Sequence, residues 1–318
     1  MLRGVLRPNA MRDAPETFIG KGKTLAVVGL GLMGGSLALA VRQRMPDVRI
    51  AGWARREEAI QQALKSGMIH MGSTDPEEVL PEADFTVLCL PLDATVQFAR
   101  DHAGVWREGV VVTDVGSVKT RIVEEVSPCL EEQGIAFVGS HPMAGSERFG
   151  LKNATADLYE NAAVMVTPSV HEQDEPQSAA VTRTKAFWEA VGCRVFFFSA
   201  DEHDKMVAGT SHAVHLLAGM AVNAFLSEPG SSQAAGGGFR DFTRIASSSP
   251  QMWTRISEYN DDRILRALDC FSAQLQQVRA YITNGQWQDL ENYLNAGRAR
   301  RERWLEEWNK TRSGEESE

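Results

Sequence analysis

Residues 24–36 constrain this chain more than any other segment. Thr24-Leu-Ala-Val-Val28 reads as a buried strand and runs into Gly29-Leu-Gly31-Leu-Met-Gly34-Gly-Ser36, where the pattern turns helical. A strand, a G-x-G-x-x-G turn and a helix start are the parts of a dinucleotide-binding βαβ unit. Gly29 makes the tight turn, Gly31 lets the backbone approach a pyrophosphate, and Gly34 permits close helix–strand contact. The helix N-terminus then faces the phosphates. Glycine-rich turns are common, so the strand before this one and the helix after it carry the argument. No Gly-Lys-Ser/Thr follows, which excludes a Walker A loop.

The chain keeps this alternation to about residue 200. Short runs rich in Val, Ile and Phe recur at 24–28, 48–53, 85–90, 110–114, 136–138, 163–166 and 194–198. Most lack a polar alternate face, as strands buried on both sides do. Helical stretches such as 34–44, 57–66 and 119–133 lie between them. Repeated βαβ predicts an α/β fold with a Rossmann-like doubly wound parallel sheet. After Ala200 the strand signal stops. Residues 201–227 read as one long helix behind a cap at Ser199 or Asp201, and 228–238 as a loop with Pro229 and four glycines. Ile264, Leu268, Phe271, Leu275, Val278 and Ile282 then follow in steps of four, three, four, three, four. This heptad-like seam fits either packing within the chain or a subunit interface. The expected organisation is a disordered extension over 1–21, a dinucleotide-binding domain over 22–200 and a helical domain over 201–318.

Composition narrows the function. The 318 residues suffice for two cores. A balance of 33 basic against 42 acidic residues argues against a nucleic-acid binder, and no basic run offsets it. No apolar run reaches membrane length, and the first 20 residues lack a secretory core. The four cysteines are scattered with no C-x-x-C pair, which suits a reducing cytoplasm and offers no metal site.

The second strand ends Gly52-Trp53-Ala54-Arg55-Arg56. An NAD site usually carries Asp or Glu here for the ribose 2′-hydroxyl. Ala54 removes the carboxylate, and Arg55 and Arg56 suit a 2′-phosphate, so NADP is expected with NAD as the alternative. The full cofactor-binding set is Gly29, Gly31, Leu32, Met33, Gly34, Arg55, Arg56 and Asp114.

Chemistry-bearing side chains gather at strand ends. The run 135–138 leads to Gly139-Ser-His-Pro-Met-Ala-Gly-Ser-Glu147, which brings an imidazole (His141), a hydroxyl (Ser146) and a carboxylate (Glu147) together. Strand 110–113 opens into Asp114-Val-Gly-Ser117-Val-Lys119, where Ser117 is either a helix cap or a second group on the rim that carries His141. On the long helix, Asp204, Ser211 and His215 fall within about 40° of one another at ~100° per residue, with His212 about 80° away. Past the glycine loop, Arg244 sits between Phe242 and Ile245, and a guanidinium in apolar company needs an anion.

Taken in order, GLGLMGGS, DVGSVK, GSHPMAGSE, HDKMVAGTSH with a further His, and FRDFTRIA with PQMW closely resemble the prephenate/arogenate dehydrogenase family of tyrosine biosynthesis. The match spans about residues 22–285. The resemblance implies a nucleotide-binding domain followed by an all-α helical dimerisation domain, hence a homodimer. It implies NAD(P)-dependent oxidative decarboxylation of prephenate or arogenate. By the same resemblance the catalytic pair is His141 and Ser117. Ser211, His215, Arg244, Ser146, Glu147 and Trp253 contact substrate. One departure stands out: Ala213-Val214 replaces the Leu-Pro that many relatives carry between the helix histidines, which predicts a less kinked helix. Two other readings remain open on the residues alone. A 3-hydroxyacid dehydrogenase shares the glycine loop but needs a helix lysine as acid/base, and Lys205 alone is available. A non-catalytic NADP sensor would have no use for His141, Ser117 and Arg244 together.

Overall fold

The computed structural model describes residues 22–145, 148–168 and 179–313. The expected disordered extension, 1–21, lies outside them, as do Ser146 and Glu147. The chain divides into two compact units between His203 and Asp204.

The first unit alternates as expected: β1 (Thr24–Val28), α1 (Leu32–Arg44), β2 (Arg49–Trp53), α2 (Glu57–Lys65), β3 (Met71–Ser73), β4 (Phe85–Leu88), α3 (Leu92–His102), β5 (Val111–Asp114), α4 (Thr120–Glu131), β6 (Ala136–Pro142), β7 (Ala163–Thr167), α5 (Ala179–Val191) and β8 (Arg194–Phe197). These strands form one sheet in the order β3-β2-β1-β4-β5-β6-β7-β8. Strand order reverses between β1 and β4, and a doubly wound sheet opens its ligand crevice at that switch point. Every residue of β1 is buried, which is why its sequence has no polar face. Leu25, Val27, Ile50, Phe85 and Val87 of the sheet join Leu37 and Val41 of α1 and Phe187 and Trp188 of α5 in one apolar core. Cys193 is buried in that core, and burial pushes its thiol up to about 12, so it is unreactive.

Three expectations need correction here. First, β6 does not stop at Val138. Its first half pairs parallel with β5, and its second half, Gly139 to Pro142, pairs antiparallel with β7. His141 therefore lies in a strand, opposite Met165, rather than in a loop. Second, the sheet is mostly rather than wholly parallel. Among the described residues, the link 143–162 holds a 3₁₀ turn at Leu151–Asn153 and no crossover helix of the kind that restores parallel pairing. Third, β3 has no counterpart among the expected runs. It is three residues long and only half-buried, too short to show a period.

The described elements of the second unit are all helices. The helix α6 (Ala200–Val207) begins in the first unit and leads into a π-helical turn (Ala208–Ala213) and α7 (Val214–Phe225). Then come α8 (Ser231–Ala234), α9 (Gly237–Thr243), a 3₁₀ turn (Arg244–Ser247), α10 (Pro250–Tyr259), α11 (Asp261–Thr283) and α12 (Trp287–Ser313). Ser249 caps α10 by accepting from the Met252 amide at 3.3 Å, with Pro250 in the first turn. The single long helix expected over 201–227 is thus interrupted by a wider turn, and the loop 228–238 contains α8. The heptad-like seam is split as well. Ile264 is 3% exposed, but Phe271, Leu275 and Ile282 are 47%, 51% and 52% exposed.

Candidate active site

The glycine loop follows from local sterics. Gly29 adopts φ +103°, a left-handed conformation open to glycine, and a Cβ there would stand 2.5 Å from the Cys89 carbonyl oxygen. Its amide donates to the Trp53 carbonyl at 2.9 Å. A Cβ on Gly34 would collide with the Gly29 carbonyl oxygen and crowd Val27, so α1 packs against β1 only because that position is bare. Gly31 differs, since a Cβ there would meet nothing within 4 Å. It is the N-cap of α1, and no side chain caps the helix. The first amides of α1, at Leu32, Met33 and Gly34, have no acceptor within the helix, and the positive end of the helix dipole lies there. A bare, uncapped helix start beside open space fits a nucleotide pyrophosphate.

At the end of β2, Ala54 is buried while Arg55 and Arg56 are exposed. Among the described residues neither guanidinium has a hydrogen-bond or ion-pair partner. Asp114 behaves differently from a cofactor ligand. It is 1% exposed, and its carboxylate accepts from the amides of Ser140 at 3.0 Å and Gly116 at 2.8 Å and from the ammonium of Lys119. Those bonds commit it to bracing the loop after β5 against β6. Lys119 is also fully buried and donates to the Ser140 carbonyl at 2.9 Å. The Ser140 hydroxyl bonds Thr113 Oγ1 at 2.8 Å and accepts from Trp188 Nε1 at 3.1 Å. Ser140 is thus held by both backbone groups and its side chain, and His141 follows directly.

His141 is buried, and its Nδ1 lies 2.8 Å from Nε2 of His203 on α6, the two rings meeting edge to face. Ser117 sits in the loop after β5, the strand neighbouring β6. It is half-buried and is not the helix cap, because Lys119 occupies the cap position of α4. Its hydroxyl makes no hydrogen bond among the described residues.

In the second unit the π-helical turn regroups the polar face. Adding a residue to one turn carries His212 onto the buried side with Asp204 and His215, correcting the 80° offset that an ideal helix predicts. His215 stacks on Trp253 with ring centroids 3.5 Å apart, and His212 meets the same indole edge-on at 6.1 Å. The Asn260 amide reaches the Asp204 carbonyl at 2.9 Å and His212 Nδ1 at 3.2 Å. Burial lowers the His215 pKa from 6.5 to about 4, so this ring is neutral near pH 7. The buried Trp253 Nε1 has no acceptor among the described residues. Ser211 is half-buried within the π-helical turn. Arg244 departs from expectation: it is exposed, because the 3₁₀ turn that carries it presents the residue to solvent.

Sequence reasoning missed Lys119, Ser140 and His203. Lys119 five residues after Asp114 was a readable signal for an ion pair. His203 had none, because its partner is 62 residues away.

The fold and the glycine loop define a two-domain dinucleotide-binding oxidoreductase. The family model for the prephenate dehydrogenase nucleotide-binding domain matches residues 37–197, and that for the prephenate dehydrogenase dimerization domain matches 199–296. The chain belongs to the prephenate dehydrogenase family. It is 34% identical to a prephenate dehydrogenase of Bacillus subtilis over 281 residues, 86% of this chain and 74% of the relative. It is 31% identical to a cyclohexadienyl dehydrogenase of Zymomonas mobilis, covering 87% of this chain and 95% of that one. The crystal structure of an Aquifex aeolicus prephenate dehydrogenase with hydroxyphenyl propionate and NAD+ superposes with a TM-score of 0.81 at 31% identity, over 88% and 98% of the two chains. The chain is accordingly an enzyme of oxidative decarboxylation in tyrosine biosynthesis. The hydroxyacid dehydrogenase and sensor readings are set aside, since both family models match in sequence order.

Proposed function

We propose that this enzyme oxidises and decarboxylates prephenate or arogenate with NADP as the preferred cofactor and His141 as the proton acceptor. The observation that carries the reading is the setting of His141. It is buried on β6, two strands from β4 at the switch point, on a strand clamped through Ser140, with Nδ1 bonded to His203. In this reading Nδ1 bonds His203 and Nε2 is the base.

The bound nicotinamide supplies the hydride acceptor. His141 takes the proton of the substrate ring hydroxyl as that carbon becomes a carbonyl. Ser117 holds the same oxygen. The dienone draws electrons from the bond to the ring carboxylate, carbon dioxide leaves, and an aromatic phenol remains. Arg244 pairs with a substrate carboxylate, Trp253 offers its buried N–H, and Ser211 and His215 line the same helix face. Ser146 and Glu147 complete the proposed contacts. The preference for NADP rests on Ala54 at the strand end and on two exposed arginines that have no partner among the described residues. Residues 22–200 form the cofactor domain and 201–318 the substrate and dimerisation domain, supported by the exposed apolar side chains of α11. A cytoplasmic location accords with four free cysteines.

The test is an assay of each substrate with each cofactor, followed by absorbance of the reduced nicotinamide. His141→Asn lowers kcat by ~10²–10⁴ with little change in KM. Arg244→Gln raises KM about tenfold, the low end for a charge-assisted bond, because the residue is exposed. An active His141→Asn enzyme, or a tenfold preference for NAD, overturns the corresponding part of the reading.

A further inference from the structure

We infer that His203 is a positioning residue that sets the tautomer of His141 and so decides whether the proton acceptor can act. The inference rests on the reading of His141 as the base. The two rings share one hydrogen bond, between Nδ1 of His141 and Nε2 of His203 at 2.8 Å. Only one proton can lie between these nitrogens. If it belongs to His141, the Nδ1–H donates to His203, and Nε2 of His141 carries a lone pair that can take the substrate proton. If it belongs to His203, His141 must hold its own proton on Nε2 and cannot act as a base. The competent arrangement therefore requires His203 to present an unprotonated Nε2. When His141 Nε2 gains the hydroxyl proton, the ring becomes an imidazolium, and its Nδ1–H bond to His203 becomes charge-assisted.

The surroundings hold both rings in place. His203 is fully buried on the first turn of α6. That turn starts with a reciprocal capping box: the Glu202 amide donates to Ser199 Oγ at 3.2 Å, and the Ser199 amide donates to the Glu202 carboxylate at 2.9 Å. The His203 amide bonds the Ser199 carbonyl at 3.0 Å. On the other side, His141 is fixed by its pairing with β7 and by the Lys119–Asp114 clamp on Ser140. The two rings thus meet at the ends of two independently anchored elements.

The experiment combines ring-nitrogen NMR with kinetics on the full chain. The chain has seven histidines, and the His141 resonances are assigned by their loss in His141→Asn. Above the imidazole pKa, His141 should be protonated at Nδ1 and bare at Nε2. His203→Gln places an amide oxygen near the former Nε2, and this variant should keep the tautomer and a kcat within about threefold of the parent. His203→Leu removes the acceptor. It should shift His141 toward the Nε2–H form and lower kcat about 10–100-fold, the range seen when the outer partner of a functional imidazole is lost. Cofactor affinity should not change. An Nε2–H tautomer in the parent enzyme, or normal kcat in His203→Leu, overturns the inference. If His203→Leu fails to fold, the parent tautomer and the Gln variant still decide. Full activity in His141→Asn would instead refute the reading beneath it, so the two failures are distinct.

Discussion

Lys119→Met should strongly destabilise the first unit. Lys119 and Asp114 are 0% and 1% exposed and are paired. Replacing the ammonium by a thioether leaves a buried carboxylate whose remaining partners among the described residues are the Ser140 and Gly116 amides. It also deprives the Ser140 carbonyl of a donor. Breaking a buried pair by removing one partner costs about 3–5 kcal/mol, much of it the uncompensated charge. For a unit of this size, each kcal/mol moves the melting midpoint by roughly 2–4 °C, so a fall of roughly 6–20 °C is expected. The double variant Asp114→Asn/Lys119→Met removes both charges and should recover part of that loss. Calorimetry without cofactor avoids stabilisation by ligand. The first-unit transition should drop in Lys119→Met and recover partly in the double variant. A loss below about 1 kcal/mol, or a double variant as unstable as the single, would show that the pair does not clamp the strand bearing His141.

The glycine loop separates folding from binding. Gly31→Ala should leave stability within about 0.5 kcal/mol yet raise the cofactor KM, while Gly34→Ala should cost about 1–3 kcal/mol from overpacking; equal melting curves for the two would refute this. His215 is held neutral, with its folded pKa near 4 below the unfolded 6.5. Its stabilisation is therefore complete above about pH 6.5 and is lost as pH falls through about 4; His215→Phe should flatten that part of the stability profile of the second unit. Leu275→Asp on α11 should convert a dimer into a species of the 35.0 kDa chain mass in sedimentation; a parent protein already at that mass would remove the proposed interface.

What the chain shows locally, it showed in its sequence. The β1–Gly29–α1 unit was legible because each glycine's role depends on neighbours a few residues away, and the alternating strands were legible because burial on both faces leaves continuous apolar runs. The helical half was visible in its periodicity. The candidate site was only partly so. His141 stood out by its loop-like sequence, yet its place in a strand depends on β7, which pairs with residues about 25 positions upstream. The π-helical turn that aligns His212 with His215 adds one residue to a helix, a change no hydrophobic period records. Whether the apolar seam of α11 is covered was likewise undecided by its spacing, since Ile264 and Leu275 share a pattern and differ in burial. The His141–His203 and Lys119–Ser140 bonds join residues 62 and 21 apart. Such partners are chosen by strand order and helix placement, so only the tertiary structure could name them.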